Sequence, residues 1–267
     1  LGAAYGIAVT CTITADTLLF LVIAKALWKK PGWLVGIGAA VFFTIDIAFL
    51  AANLTKTEHG GWFPLSIGFL IFAVLSTWRR GTKEIQEKRI DAEGSLQSFV
   101  EELHAADPKP PRVPGTAVYL NARRETTPLA LRASFEHAHA LHESIVIISI
   151  ETTRSPHVSE ADHLVVDHLG YEDDGISHLT AKVGFQEAID VPKLFALACT
   201  RGLEGDAREE DAVYFLSQIT IRPTRAPGMA LWRKRLYVAL ARNAISAADY
   251  FHLPADRTVT IGSAIDI

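Results

Sequence analysis

The sequence predicts an α-helical membrane segment of three transmembrane helices, followed by an α/β domain. Of the 26 basic and 30 acidic side chains, only seven precede residue 79, and the same region contains three apolar runs. Each run has the ~20 residues that an α-helix needs to cross about 30 Å of hydrocarbon. After residue 79, short β-branched runs alternate with helical patterns, which is typical of a sheet covered by helices.

These contrasts divide the chain into three parts. Residues 1–80 are predicted to hold the last three transmembrane helices of a multi-span membrane protein. Residues 81–112 are predicted to form a juxtamembrane helix and a proline-rich linker, and residues 113–267 an α/β domain. The first apolar run begins without a positively charged segment, so it is not interpreted as a signal peptide, and the chain is expected to be the C-terminal piece of a longer protein.

The first two predicted spans cover residues 1–24 and 33–54. Each contains a single acidic residue, Asp16 in the first and Asp46 in the second. Gly6 is expected to allow close approach of helices, and Asn53 is interpreted as a cap at the end of the second span.

The third predicted span lies within GGWFPLSIGFLIFAVLSTWRR, residues 60–80. There is no ionisable side chain between Trp62 and Trp78, and an indole ring at each end favours the headgroup layer. Arg79 and Arg80 follow at once, so this run is interpreted as the last crossing.

The distribution of basic residues predicts the orientation. The loop at residues 25–30 carries three lysines and residues 79–89 carry five basic side chains, whereas the loop between them offers only Lys56 and Glu58. By the positive-inside rule, the first and third spans end in the cytoplasm, and residues 79–267 are expected to be cytoplasmic.

The remaining elements follow from changes of period and from proline. A helix is predicted at 83–103, and residues 107–114 (DPKPPRVP) are predicted to be neither helix nor strand, because proline lacks the amide donor. Residues 144–151 (SIVIISIE) are predicted to be a buried central strand. The other predicted strands are 116–120, a pair at 163–169 and 177–183, 212–219, and an edge strand at 258–261; the predicted helices are 128–142, 191–203 and an amphipathic 228–250 with Trp232, Leu236, Leu240 and Ile245 near one face.

The two acids within the spans are the candidate residues of an ion or proton pathway. A carboxylate at mid-span costs about 2.5–3.5 kcal/mol on insertion scales, so it is usually retained for pairing or proton exchange inside the protein. The alternative for Asp46 is a hydrogen bond to a neighbouring helix that serves packing alone. Asp16 lies in a helix rich in threonine, and a polar stripe there either lines a pathway or bonds back to the helix backbone.

A basic face is predicted on the last long helix. One interpretation is anion or nucleotide binding through Arg233 and Arg235, and the other is solvated charge or contact with anionic lipid. This face is formed by Arg233, Lys234, Arg235 and Arg242.

Other chemistry is not predicted. A metal site is not expected at His137, His139 and His142, because no acid or cysteine completes a ligand set. The sequence shows neither a nucleophile elbow nor a glycine-rich phosphate loop, so no catalytic residue and no cofactor is assigned and the chain is not expected to be an enzyme. The net charge of −4 gives no indication of a nucleic-acid partner.

Several motifs, in order along nearly the whole chain, resemble the C-terminal part of the Kup/HAK/KT potassium uptake transporters. The sequence departs from this family at Cys11, where glycine is usual, and at Asp16, where threonine or an apolar residue is more common. The motifs are AYGIAVT (4–10), IDIAFLAANLTKTEHGGWFPL (45–65), STWRRG (76–81), VPGTAVYL (113–120), GFQEAIDVP (184–192), YFLSQITI (214–221) and WRKRLYVALARNAISAADYFHLP (232–254).

The resemblance implies potassium uptake coupled to protons in the cell membrane, with a cytoplasmic regulatory domain. It implies that these spans pack on N-terminal transmembrane helices that hold the principal ion site, and that an acid in the second span, Asp46 here, is tied to ion or proton passage. Some relatives bind a cyclic dinucleotide in their cytoplasmic domain, so a cyclic dinucleotide is a candidate ligand of this domain. A second copy of the chain, in a homodimer, is a further candidate partner. The competing hypothesis is a membrane-anchored nucleotide-sensing or interaction module without transport.

Overall fold

The computed structural model describes residues 2–55, 57–59, 61–159, 162–171, 174–204 and 206–267. The chain forms two compact units, one that ends at Thr77 and one that begins at Trp78. The residues of the sequence predictions that lie outside the described part are Leu1, Lys56 and Gly60.

Three long apolar helices confirm the predicted membrane segment. They are α1 (Gly2–Ala26), α2 (Gly32–Leu54) and α3 (Trp62–Glu93), and each is long and apolar enough to cross a membrane. Most of their large apolar side chains are exposed, as on helices that meet lipid or further helices. Helix α3 contributes its first part to the first unit and its last part to the second.

The predicted juxtamembrane helix at 83–103 is wrong as a separate element. Its first half is the continuation of α3, and its second half belongs to α4 (Leu96–Ala105). Gly94 separates the two helices with a φ of 65°, a conformation that favours glycine. Ser95 then caps α4, because its hydroxyl accepts a hydrogen bond from the Ser98 amide at 3.4 Å.

The proline-rich linker is shorter than predicted, because β1 begins at Arg112. The pairing of β1 with the next strand shifts register between Val113 and Thr116, which places Pro114 in a bulge. A bulge leaves one residue out of the hydrogen-bonding ladder, so the missing amide of Pro114 costs no ladder bond.

The second unit is built on a six-stranded sheet in the order β3-β4-β2-β1-β5-β6. All neighbouring strands are parallel except β3, which runs antiparallel to β4. The predicted central strand is confirmed as β2, whose residues 145–148 are fully buried, as in parallel strands covered on both faces. The strands are β1 (Arg112–Asn121), β2 (Leu141–Thr152), β3 (Leu164–Asp167), β4 (Ile176–Val183), β5 (Ala212–Arg222) and β6 (Thr258–Asp266).

Helices cover both faces of the sheet, so the predicted α/β class is confirmed. One face packs under α4 and α5 (Leu129–Ala133), and the other under α6 (Val191–Cys199) and α8 (Ala247–Tyr250). The predicted helix 128–142 is too long, because His139 adopts a φ of 52° and β2 begins two residues later.

The predicted helix 228–250 is wrong as one helix. It is broken into α7 (Leu231–Ala241) and α8, and α7 buries Lys234, Tyr237 and Val238. Trp232, which was expected on the buried face, is 60% exposed, and Ile245 is 71% exposed. The buried stripe differs because α7 packs on Ile85 of α3 and Ile265 of β6, which select the face that carries Tyr237.

Candidate ion pathway and basic helix

Asp46 lies on the face of α2 that packs against α1. Its side chain is buried, with 8% exposure, although most neighbours along α2 are exposed. The Oδ2 atom has no hydrogen-bond partner among the described residues. A buried carboxylate oxygen without a partner is energetically costly, so it marks a position that needs either a proton, a cation or a further polar group.

Two close contacts define how α1 and α2 pack. A Cβ atom added at Gly6 would lie 2.8 Å from Asn53 Oδ1, and one added at Gly38 would lie 4.0 Å from Leu21 Cδ2. The helices are therefore antiparallel, with the start of α1 beside the end of α2. On this register Asp46 lies at the level of Ile13 and Thr14 in α1. Gly6 permits the close approach, as its residue type suggested.

The predicted role of Asn53 as a helix-end cap is wrong. Its Nδ2 donates to the Phe49 carbonyl at 3.1 Å, within α2, and its Oδ1 faces Gly6. Helix α2 ends on Thr55 instead, whose amide donates to backbone carbonyls of the last turn. The amide oxygen of Asn53 thus adds a polar group to the α1–α2 interface.

Two threonines of α1 add hydroxyl oxygens near the level of Asp46. Thr14 donates its hydroxyl proton to the Thr10 carbonyl at 2.8 Å, and Thr10 donates to the Gly6 carbonyl at 2.8 Å. Both side chains are half-buried. The back-bonding interpretation is therefore confirmed for these donors, but each hydroxyl oxygen keeps acceptor capacity.

Asp16 is not brought together with Asp46. The residues of α1 that turn towards α2 recur at Ile7, Thr14 and Ala24, whereas Asp16 is exposed on another side of the helix. The two candidate acids thus do not form a pair, and only Asp46 lies in the interface between the described helices.

The basic residues predicted to share one face of the last long helix do not lie on a single face. Lys234 is fully buried, and its ammonium donates to the Ala226 carbonyl at 2.6 Å and the Thr224 carbonyl at 3.3 Å. Arg235 is exposed, while Arg233 is half-buried. Lys234 faces inwards because it belongs to the same helical stripe as Tyr237 and Val238, which pack on the core.

The histidines near residue 140 do not share a helix. His137 is exposed in the last helical turn before β2, His139 adopts a left-handed backbone conformation, and His142 belongs to β2. Among the residues that the structure describes, no group of three or more His, Cys, Asp or Glu side chains is arranged to hold a metal ion.

The sequence reasoning missed a buried serine–histidine pair. His178 Nε2 lies 3.1 Å from Ser149 Oγ, and both side chains are buried. Burial lowers the pKa of His178 to about 4, with a smaller contribution from the positive charge of Arg124. Because no substrate reaches a fully buried side chain, the pair serves the core of the sheet. Its signal in the sequence was weak, since the two residues lie on different strands.

The chain matches two family profiles that together cover most of its length. Residues 1–83 match the profile described as the K+ potassium transporter integral membrane domain, and residues 114–267 match the K+ potassium transporter C-terminal domain. Both descriptions concern transporters, which agrees with the prediction that the chain is not an enzyme.

Curated bacterial proteins are similar over the whole chain. The probable potassium transport system protein Kup of Rhodococcus jostii is 46% identical over 267 residues, which are 100% of this chain and 41% of that protein. The protein of the same name from Anaeromyxobacter sp. is 39% identical over 270 residues, covering 100% and 40%. That of Cutibacterium acnes is 38% identical, covering 99% and 41%. The chain thus spans about two fifths of the length of these relatives.

Proposed function

The chain belongs to the K+ potassium transporter family, and from this premise we propose that it forms the C-terminal part of a potassium importer of the cell membrane. The names of its curated relatives support potassium as the transported ion. The alternative of a membrane-anchored sensing module is not favoured, because the helices match a transporter's membrane domain rather than an unrelated anchor.

The observation that carries the proposal is the buried, unpartnered carboxylate of Asp46. In a helix that crosses a membrane, such a group is retained where it exchanges a proton or faces an ion path. The hydroxyl oxygens of Thr10 and Thr14 in the facing helix, and the amide oxygen of Asn53, supply further hard oxygen groups along the same interface. Oxygen groups of this kind are the ligands that hard cations prefer.

We propose that Asp46 takes up and releases a proton during potassium uptake, which makes the transporter a potassium:proton symporter. In its protonated form Asp46 donates to an acceptor in the α1–α2 interface; in its ionised form it offers two oxygens to a cation. The protonated and ionised forms of Asp46 stabilise different arrangements of the helices, so uptake or release of the proton shifts the equilibrium between these arrangements.

We propose that the second unit lies in the cytoplasm; the support is the five basic residues at 79–89, since such residues favour the cytoplasmic side of a membrane. In this proposal it regulates the transporter or supports its assembly.

The test compares Asp46→Asn with Asp16→Asn in the complete transporter that carries this chain, at matched levels in a host without its own potassium uptake. Asp46→Asn keeps the size and hydrogen bonding of the side chain but cannot exchange a proton. The expected result is a fall of at least about tenfold in the initial uptake rate, because a mid-membrane acid is retained for proton or ion passage. Asp46→Glu should retain part of the rate and its pH dependence.

The matched control, Asp16→Asn, should leave uptake close to wild type, because Asp16 is exposed away from the α1–α2 interface. Unchanged uptake and unchanged pH dependence in Asp46→Asn would refute the proton role and leave Asp46 as a packing residue. This chain expressed alone is expected not to support growth at low potassium, since it spans about two fifths of its relatives.

A further inference from the structure

A cavity of about 800 Å³ opens in the second unit between β5, the turn from α7 to α8, and the end of α3. This volume is within the range of about 300–1,000 Å³ that is usual for small-molecule sites. Its sixteen lining residues are 216–221 of β5, 241, 242 and 244–248 around the α7–α8 turn, and Arg89, Val238 and Thr260.

The position of the cavity in the sheet is one that favours ligands. From β1 the chain continues to β2 on one side, whereas from β5 it continues to β6 on the other, so the strand order reverses between β1 and β5. In open parallel sheets, ligands bind outside the carboxyl ends of the strands at such a reversal, where the two connections diverge. The cavity is lined by residues 216–221, in the carboxyl half of β5.

The edge of β5 is unpaired at the same place. Pairing of β1 with β5 ends at Tyr119 and Phe215, although β5 continues to Arg222. On the side that faces β1, residues 216–222 therefore have no strand partner among the described residues. Peptide groups that lack a ladder are available to water or to the polar atoms of a ligand.

The charges that line the cavity have one sign. Only two of the sixteen lining residues are charged, and both are arginines. Arg89 forms an ion pair with the buried Glu93, whose Oε1 accepts from its Nε atom at 2.5 Å, so the charge of Arg89 is balanced and Arg242 supplies the unbalanced positive charge. Arg242 is exposed and forms no ion pair with any residue in the described part of the chain. The other lining side chains are uncharged: they are alanines, larger aliphatic side chains, hydroxyl-bearing side chains and one amide. Such a lining suits the apolar or planar organic part of a ligand.

We propose that this cavity binds a small organic phosphate of nucleotide size. Arg242 and Arg89 hold the phosphate, because the planar guanidinium matches phosphate oxygens with two parallel hydrogen bonds. The organic body lies against the alanines and Ile245 of the α7–α8 turn. Arg233 and Arg235, the anion contacts suggested by the sequence, do not line the cavity.

The experiment uses the whole chain in detergent micelles and isothermal titration calorimetry. The probes are adenosine monophosphate as a free organic phosphate, adenosine as the same body without phosphate, and dihexanoyl phosphatidic acid as a lipid phosphate. The variants are Arg242→Gln, which removes the cation; Ala244→Phe, which fills the cavity from an exposed position; and Arg235→Gln as the matched control on α7. Circular dichroism verifies that each variant keeps its secondary structure.

At least one of the two phosphates is expected to bind, and the one that binds tighter identifies the source. Arg242→Gln should weaken its binding by about tenfold or more, as expected for a lost charge-assisted hydrogen bond, and Ala244→Phe should abolish it. Arg235→Gln should bind as wild type does, and adenosine should bind more weakly than its monophosphate.

The proposal is overturned if neither phosphate binds, if Arg242→Gln and Ala244→Phe bind as wild type does, or if Arg235→Gln weakens binding as much as Arg242→Gln. Since binding is measured without transport, the outcome is independent of the role proposed for Asp46.

Discussion

Acidification is expected to destabilise the second unit through His178. Its imidazole is fully buried, its Nε2 faces Ser149, and its Nδ1 has no hydrogen-bond partner among the described residues. Burial lowers its pKa to about 4 from an ordinary value near 6.5, against the opposing effect of Asp167 and Glu125. A proton on this ring would add a cation and an unsatisfied donor to the core.

The sign of the effect follows from where the proton binds. Between about pH 6.5 and 4 the unfolded chain takes up a proton that the folded chain refuses, so the free energy of unfolding falls as the pH falls. Each pKa unit is worth about 1.4 kcal/mol, so the full loss is about 3 kcal/mol. Between pH 7 and pH 4.5 we expect about 2 kcal/mol of this loss.

The assay is thermal unfolding of the chain in detergent, followed by near-ultraviolet circular dichroism at pH 7 and pH 4.5. Carboxyl groups also titrate in this range, so the informative quantity is the difference between wild type and His178→Gln, which keeps a polar group near Ser149. The variant should lose about 2 kcal/mol less than wild type. His137→Gln, which changes an exposed histidine, is the matched control and should follow wild type. An equal loss in wild type and His178→Gln would refute the reasoning.

Three further predictions concern packing and capping, and each is checked by thermal unfolding at pH 7. A Cβ atom at Gly81 in α3 would lie 2.3 Å from the ring of Tyr237, which is 4% exposed, so Gly81→Ala should cost about 2 kcal/mol. In a Tyr237→Ala background the same change should be neutral or stabilising by up to about 1 kcal/mol, and a persistent cost there would contradict the clash. Lys234→Met should cost about 1–3 kcal/mol, since two backbone carbonyls lose their donor, and Lys234→Ala should cost more; wild-type stability of the methionine variant would show that these bonds contribute nothing. Asp190→Ala should cost about 1 kcal/mol, because the carboxylate caps α6 by accepting from the Lys193 amide at 3.2 Å, whereas Asp190→Asn should retain most of the stability and a loss as large as in alanine would argue against the cap.

The local sequence pattern was sufficient to predict those helices and strands whose conformation depends on one continuous stretch of chain. The three membrane helices follow from runs of apolar residues long enough to satisfy every backbone amide inside hydrocarbon. Strand β2 follows from SIVIISIE, because a β-branched run of that length fits a strand covered on both faces. The boundaries at Gly94 and His139 were missed, since the left-handed conformation at each is selected by the next element rather than by the residue alone.

The candidate site was predictable by residue type and not by position. The sequence by itself determined that Asp16 and Asp46 are costly acids in apolar helices, because burial of a carboxylate is expensive in any fold. Only the tertiary structure decided that Asp46 enters the α1–α2 interface while Asp16 stays outside it, since the face that a helix buries depends on its neighbour. The same reason separates buried Lys234 from exposed Arg235, and it brings Arg89 and Arg242, distant in sequence, to one cavity at the reversal of the sheet.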